Sequence, residues 1–179
     1  GPGGTLNLQN SHYEQITDRA VRVSGSAHIP TPKCSVKLEG AAEEGYRASF
    51  IGGIRDPILI GQLDSFLEKA KARAGLTYPQ LASGEAKIFF HIYGKNAVMG
   101  DLEPQKYAVP VEVGVLGEVV APTQELASAI CANIRVAVLH TPYPGQLATG
   151  GNLALPLNPL DQALGKVFRF SLYHLMEVD

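Results

Sequence analysis

Gly52-Gly53-Ile54-Arg55-Asp56-Pro57 is the stretch from which the fold is read. It marks a strand that stops and a helix that starts. Asp56 suits an N-cap, where its carboxylate accepts from the first free helix amides. Pro57 suits the first helical position, where its missing N–H is no loss. Behind the corner, Tyr46 to Ile51 reads as a strand. Ahead of it, Leu59, Leu63, Phe66, Leu67 and Ala70 recur at helical spacing and predict an amphipathic helix to about Ala74, with Gly75 as its left-handed stop. The basic run Lys69 to Arg73 then falls on a solvated face.

Further along the chain, Ala86 to Tyr93 predicts a strand that is apolar on both sides. Ile88, Phe90 and Ile92 alternate with Phe89, His91 and Tyr93, which implies cover on both faces. Val111 to Val120 is the next strand, with Val111, Val113, Val115 and Val119 on one face and Glu112, Gly114, Leu116 and Glu118 alternating with them. Thr123 suits the N-cap of a second helix, and Glu125 sits well against its positive end. Leu126, Ile130, Ile134, Ala137 and Val138 form its buried side. Val167 to Met176 is the last strand, with Phe168, Phe170, Leu172, His174 and Met176 on one face.

Strand, helix, strand, strand, helix, strand is the order of the ferredoxin-like split βαβ arrangement. The expected class is therefore α+β: a ferredoxin-like βαββαβ antiparallel sheet with two helices on one face. Upstream, Arg19 to Ser24 and Cys34 to Glu39 predict an N-terminal pair of strands, and Ala41 to Gly45 predicts a turn ahead of Tyr46. The expected organisation is a leader over 1–17, with Gly1-Pro2 as a tag remnant, a strand pair over 18–40 and the α+β domain over 41–179.

Composition bounds the rest. The chain has 179 residues, 45% hydrophobic and 18% charged, which predicts a packed core rather than disorder. Net charge is -2 and no basic block interleaves with aromatics, so nucleic acid is not an expected partner. No apolar run reaches membrane-spanning length, so no membrane is expected either. Cys34 and Cys131 show neither metal-ligand nor disulfide spacing, and a reducing, cytoplasmic setting is the expectation. His91, His140 and His174 show no spacing that would bring them together on zinc. Neither metal nor cofactor is expected.

In the ferredoxin-like layout three connections share one end: Gly52 to Pro57, Gly94 to Pro110 and Thr141 to Lys166. The last follows His140 and contains Thr141-Pro142-Tyr143-Pro144-Gly145 and Thr149-Gly150-Gly151-Asn152 at its start. A connection that long is usually functional when it is ordered. Arg55, Lys95, Asn96 and Tyr143 then offer a polar mouth for a carboxylate or a CoA phosphate, with Arg55 the best anion fork. Ion pairing with Asp56 or Asp101 is its structural alternative. Gly145, Thr149, Gly150, Gly151 and Asn152 suit a backbone anion cradle, against the plainer reading of a tight turn. Glu112 and Glu118 lie six residues apart on one strand, roughly 20 Å, too far for a shared acid–base pair.

The chain resembles the C-terminal part of the acyclic terpene utilisation family, including its fungal-type relatives. The segments that carry the resemblance are Arg19 to Gly25, Gly94-Lys-Asn-Ala-Val-Met-Gly100, Glu118 to Glu125, His140 to Leu153 and Phe170 to Leu175. They span most of residues 19–176. The resemblance implies terpenoid or branched acyl-CoA metabolism and a place within a larger protein. It carries over no catalytic residue. Two functions follow as expectations. One is a ligand-binding and assembly domain, taking an acyl-CoA or carboxylate and packing on an N-terminal domain of the same protein or on a second copy of the chain. The other is a lyase or hydratase half-site with His140, Tyr143 or His174 as its acid or base.

Overall fold

The computed structural model describes residues 1–147 and 149–178 and shows an α+β protein with antiparallel strand pairing. In chain order the elements are β1 (Gly4–Asn7), β2 (His12–Thr17), β3 (Ala20–Ser24), β4 (Ala27–Pro30), β5 (Ser35–Ile54), α1 (Pro57–Gly61), α2 (Leu63–Thr77), α3 (Pro79–Ser83), β6 (Lys87–Tyr93), β7 (Val113–Ala121), α4 (Gln124–His140) and β8 (Gln162–Glu177). A short 3-10 turn, Gly100–Leu102, interrupts the β6–β7 connection. The chain divides into two compact units, and the division falls within β5 and within β8: one is Glu43–Phe168, the other Gly1–Ala42 with the chain from Arg169.

The unit Glu43–Phe168 holds the core. Its sheet has the order β6-β7-β5-β8. β7 alternates strictly: Val113, Val115, Gly117, Val119 and Ala121 are buried and the residues between them half-buried. Across the register, Ala48, Phe50 and Ile54 of β5 turn to the same side. α2 supplies Leu63, Phe66, Leu67, Ala70 and Ala74, and α4 supplies Ala127, Ile130, Cys131, Ile134 and Val138. Each stripe repeats at three and four residues; α4 packs on β7 and on α2, and both stripes join one buried cluster with the strands. Burying each large side chain stabilises by about 1.5–3 kcal/mol. Gln124 locks the point where β5 and β8 part: its amide donates to the Arg47 carbonyl at 3.0 Å and accepts from the Gly165 N–H at 3.0 Å. Arg135 and Asp161 form a bidentate ion pair at 2.7 and 3.0 Å between α4 and the chain entering β8.

The other unit is made of strands. β1 pairs with β4 and β2 with β3, as antiparallel two-stranded sheets. β5 from Ser35 to Ala42 runs against the C-terminal half of β8: Val178 N–H donates to the Cys34 carbonyl at 3.0 Å, and Gly40 lies against Leu172. No described residue of this unit is buried.

Several expectations change. The leader expected over 1–17 holds two strands, β1 and β2. There is no turn at Ala41–Gly45, because β5 runs through it. Glu43 and Glu44 are held on the strand by Lys166 at 2.8 Å and Lys87 at 3.5 Å, and Gly45, at φ +135°, lets the Ala121 carbonyl approach where a Cβ would stand. The first helix breaks at Gln62 and does not stop at Gly75; it runs to Thr77 and is closed by Tyr78, whose N–H reaches the Ala74 carbonyl. Val111 precedes β7 and is exposed. The second face of β6 is open, with Phe89 43% and Tyr93 50% exposed.

Candidate functional site

The strand-to-helix corner and the run after α4 meet. Asp56 caps α1, its Oδ1 accepting from Ile58 N–H at 2.8 Å. Its Oδ2 accepts from the Tyr143 hydroxyl. The Tyr143 ring packs edge-on against Phe66, centroids 6.1 Å apart. Gln62 Nε2 donates to the Pro144 carbonyl at 2.9 Å and holds the turn that follows. Gly145 closes that turn at φ +84°, with its Cβ position only 3.0 Å from Ile58 Cγ2. Gly53 and Ala154 exchange backbone hydrogen bonds of 2.8 and 2.9 Å, so the run extends the edge of β5 by one bridge.

Asn152 is spent on the end of α4. Its N–H donates to the Leu139 carbonyl at 2.9 Å, and its Nδ2 donates to the Val138 and Thr141 carbonyls at 3.1 and 2.9 Å. These acceptors belong to the group that a helix C-terminus leaves unsatisfied. Gly151, at φ +125°, lets the chain pass the Leu139 side chain. Thr149 and Gly150 are exposed beside it. The amide of Asn152 therefore faces a carbonyl rather than an anion, and the Gly-Gly-Asn run acts as a turn that closes a helix.

Between these segments lies a cleft of about 700 Å³, lined by Gly53, Arg55, Asp56, Leu59, Glu112, Tyr143, Leu147 and Gly151–Pro156 except Leu155. One wall is apolar: Leu59, Leu147, Leu153, Ala154 and Pro156. The polar groups are Arg55, Asp56, Glu112 and Tyr143. Arg55 pairs with neither Asp56 nor Asp101; its Nη1 stands 4.0 Å from Glu112 Oε2, and both side chains are mostly exposed. Such a long, wet pair is weak, so the guanidinium is available to a ligand. The Tyr143 hydroxyl, and after it the Ile58 N–H, holds the Asp56 carboxyl below its ordinary range. The same hydrogen bond to Asp56 is the largest cause pushing the Tyr143 phenol up to about 12. At neutral pH the pair is thus carboxylate and phenol. It donates and accepts hydrogen bonds but offers no phenolate base.

Of the residues singled out in the sequence, Arg55, Tyr143, Gly151 and Asn152 are brought together at this cleft. Lys95 and Asn96 are not among its lining; they line a separate hollow of about 230 Å³ with Asp64, Gly100, Asp101, Glu103 and Lys106, where Lys95 Nζ is 2.8 Å from Asp64. Only the far end of that connection, Val109 to Glu112, approaches Arg55 and Pro57. His140 is exposed in the last turn of α4, and His174 belongs to β8 in the other unit.

Two features lie beyond the local reading. Glu112 lines the cleft from the position just ahead of β7. Glu118, 16% exposed, accepts from His91 Nε2 at 3.0 Å and lies 3.5 Å from Arg47. Three strands contribute that cluster, and alternation placed each residue on the face away from the helices. Only their register joins them. Burial pushes the Cys131 thiol up to about 12, so it is no nucleophile. Among the described residues no three His, Cys, Asp or Glu side chains are grouped to hold a metal ion, and no helix is long and apolar enough to cross a membrane. Comparison with family models, with curated proteins and with solved structures returns no match for this chain.

Proposed function

We propose that this chain is a ligand-binding domain, and that the cleft at the Gly53–Asp56 corner takes a small carboxylate with a branched apolar body. The observation that carries the reading is the single weakly paired guanidinium of Arg55 at the edge of a cleft walled by Leu59, Leu147, Leu153, Ala154 and Pro156. Arg55 matches one carboxylate bidentately, and the apolar wall accommodates the body. Asp56 and Glu112 beside it repel a polyanion, which favours a free acid over the phosphates of CoA. This fits a domain within a larger protein resembling the acyclic terpene utilisation family, in a cytoplasmic setting. The strand order β6-β7-β5-β8, with α2 and α4 packed together, supports reading Tyr46 onward as a ferredoxin-like unit.

A thermal-shift series with branched carboxylic acids, CoA and acyl-CoAs tests it, since binding stabilises by mass action. The expected result is a concentration-dependent rise with the acids that is lost in Arg55→Ala and is absent with CoA alone. A rise with CoA alone, or an unaltered response in Arg55→Ala, rejects the assignment. The alternative, a lyase or hydratase half-site, is disfavoured by the protonated Tyr143 and by the position of His140 outside the cleft lining.

A further inference from the structure

The cleft at the Gly53–Asp56 corner sets two carboxylates, Asp56 and Glu112, against one guanidinium. Asp56 has a donor on each oxygen, the Ile58 N–H at 2.8 Å and the Tyr143 hydroxyl. Those donors hold it below the ordinary carboxylate range, so it is ionised at neutral pH. A carboxylate offers about four acceptor positions, which leaves Asp56 able to accept more. Glu112 is less engaged still. It meets Arg55 only at 4.0 Å and takes no hydrogen bond among the described residues. A ligand that brings a carboxylate alone to Arg55 adds a third negative charge beside these two.

An ammonium group on the same ligand removes that conflict. Arg55 and Asp56 are adjacent residues, and Glu112 stands 4.0 Å from the Arg55 guanidinium, so opposite charges lie side by side at the cleft. An α-amino acid presents its carboxylate and its ammonium in the same way, attached to one carbon. The ammonium has three donors and no acceptor, which suits carboxylate oxygens with lone pairs to spare. We propose that the cleft takes a branched-chain α-amino acid, its carboxylate on Arg55, its ammonium on Glu112 and Asp56, and its side chain against Leu59, Leu153 and Pro156. A hydroxy acid of the same shape would leave the surplus negative charge of the cleft unpaired. A CoA thioester has no free carboxylate for Arg55. The inference rests on the carboxylate reading of this cleft and names what the acid carries besides.

Calorimetric titration of the intact chain tests it, with leucine, isoleucine and valine beside the acids of the same skeletons that carry hydrogen or hydroxyl in place of the amino group. The expected result is an amino acid that binds more tightly than both its counterparts by about tenfold or more. Glu112→Gln, a change at an exposed side chain ahead of β7, is expected to abolish that preference. A des-amino or hydroxy acid that binds as tightly as the amino acid overturns this inference and leaves the carboxylate reading standing. Binding of none of these compounds overturns both. A preference that survives Glu112→Gln overturns the placement of the ammonium. Should that variant not fold, the comparison of ligands on the unaltered chain decides.

Discussion

Asp56 and Tyr143 lie 87 residues apart in the chain and share one hydrogen bond. Its pH dependence has a definite sign. The folded pKa of Asp56 is depressed, so its contribution is present above the usual carboxylate value of 3.8 and is lost as pH falls through the folded value. The folded pKa of Tyr143 is raised, so its contribution is present below the usual 10.0 and is lost as pH rises toward about 12. Tyr143→Phe is therefore expected to lower Tm at neutral pH, and the gap to the unaltered chain is expected to close in acid. Melts of both chains from neutral pH into acid check this, and a gap that stays constant would contradict it. At this scale the sequence was legible wherever the partner is near. The Asp56 and Thr123 caps bond residues two and three positions on, Ile58 and Leu126. The partner of Arg55 was not legible, because Glu112 comes from the chain entering β7, far along the sequence.

Among the elements, the end of α2 shows which local signal wins. Gly75 was expected to stop the helix, yet nothing lies within 4 Å of its Cβ position and its backbone is not left-handed. Pro79 is the stronger stop, because it pushes Tyr78 out of the helical region, to φ -119° and ψ 96°. Gly75→Ala is expected to stabilise by about 0.5–1 kcal/mol, through the lower entropy of the unfolded chain and better helix propensity. Thermal melts would show a rise of a few degrees, and a fall would mean that α2 needs the glycine. The closure of α4 rests on Asn152. Asn152→Ala leaves the Val138 and Thr141 carbonyls without that amide and is expected to cost about 1–3 kcal/mol, measured by denaturant unfolding. A neutral result would show that water replaces the side chain there. The missed continuity of β5 has the same root: Glu43, Glu44 and Gly45 resemble a turn until Lys166, Lys87 and Ala121 stand beside them.

Across the whole molecule, one contact ties neighbouring strands of the sheet together on its buried face. Phe50 lies over Gly117, and a Cβ there would collide with the ring. Gly117→Ala is expected to destabilise by about 1–3 kcal/mol through overpacking. In a Phe50→Leu background the cost should be smaller, since the ring no longer fills the space. Unfolding of the two single variants and the double variant gives the coupling, and strict additivity would mean that the ring is displaced freely. The unit Glu43–Phe168 concentrates such contacts, whereas no described residue of the strand unit is buried.

Local pattern alone was enough to place the N-caps Asp56 and Thr123 and the inward stripes of the two long helices and of β7. Those properties depend on neighbours two to four residues away, so a local pattern carries them: the stripe Leu63, Phe66, Leu67, Ala70 and the alternation of Val113, Val115 and Val119 are both buried as expected. Tertiary structure alone decided that Tyr143 meets Asp56, that Asn152 closes α4 rather than cradling an anion, and that Lys95 lies in another hollow. Those outcomes depend on strand register and on the path of the chain after α4, which bring together atoms that no local spacing relates.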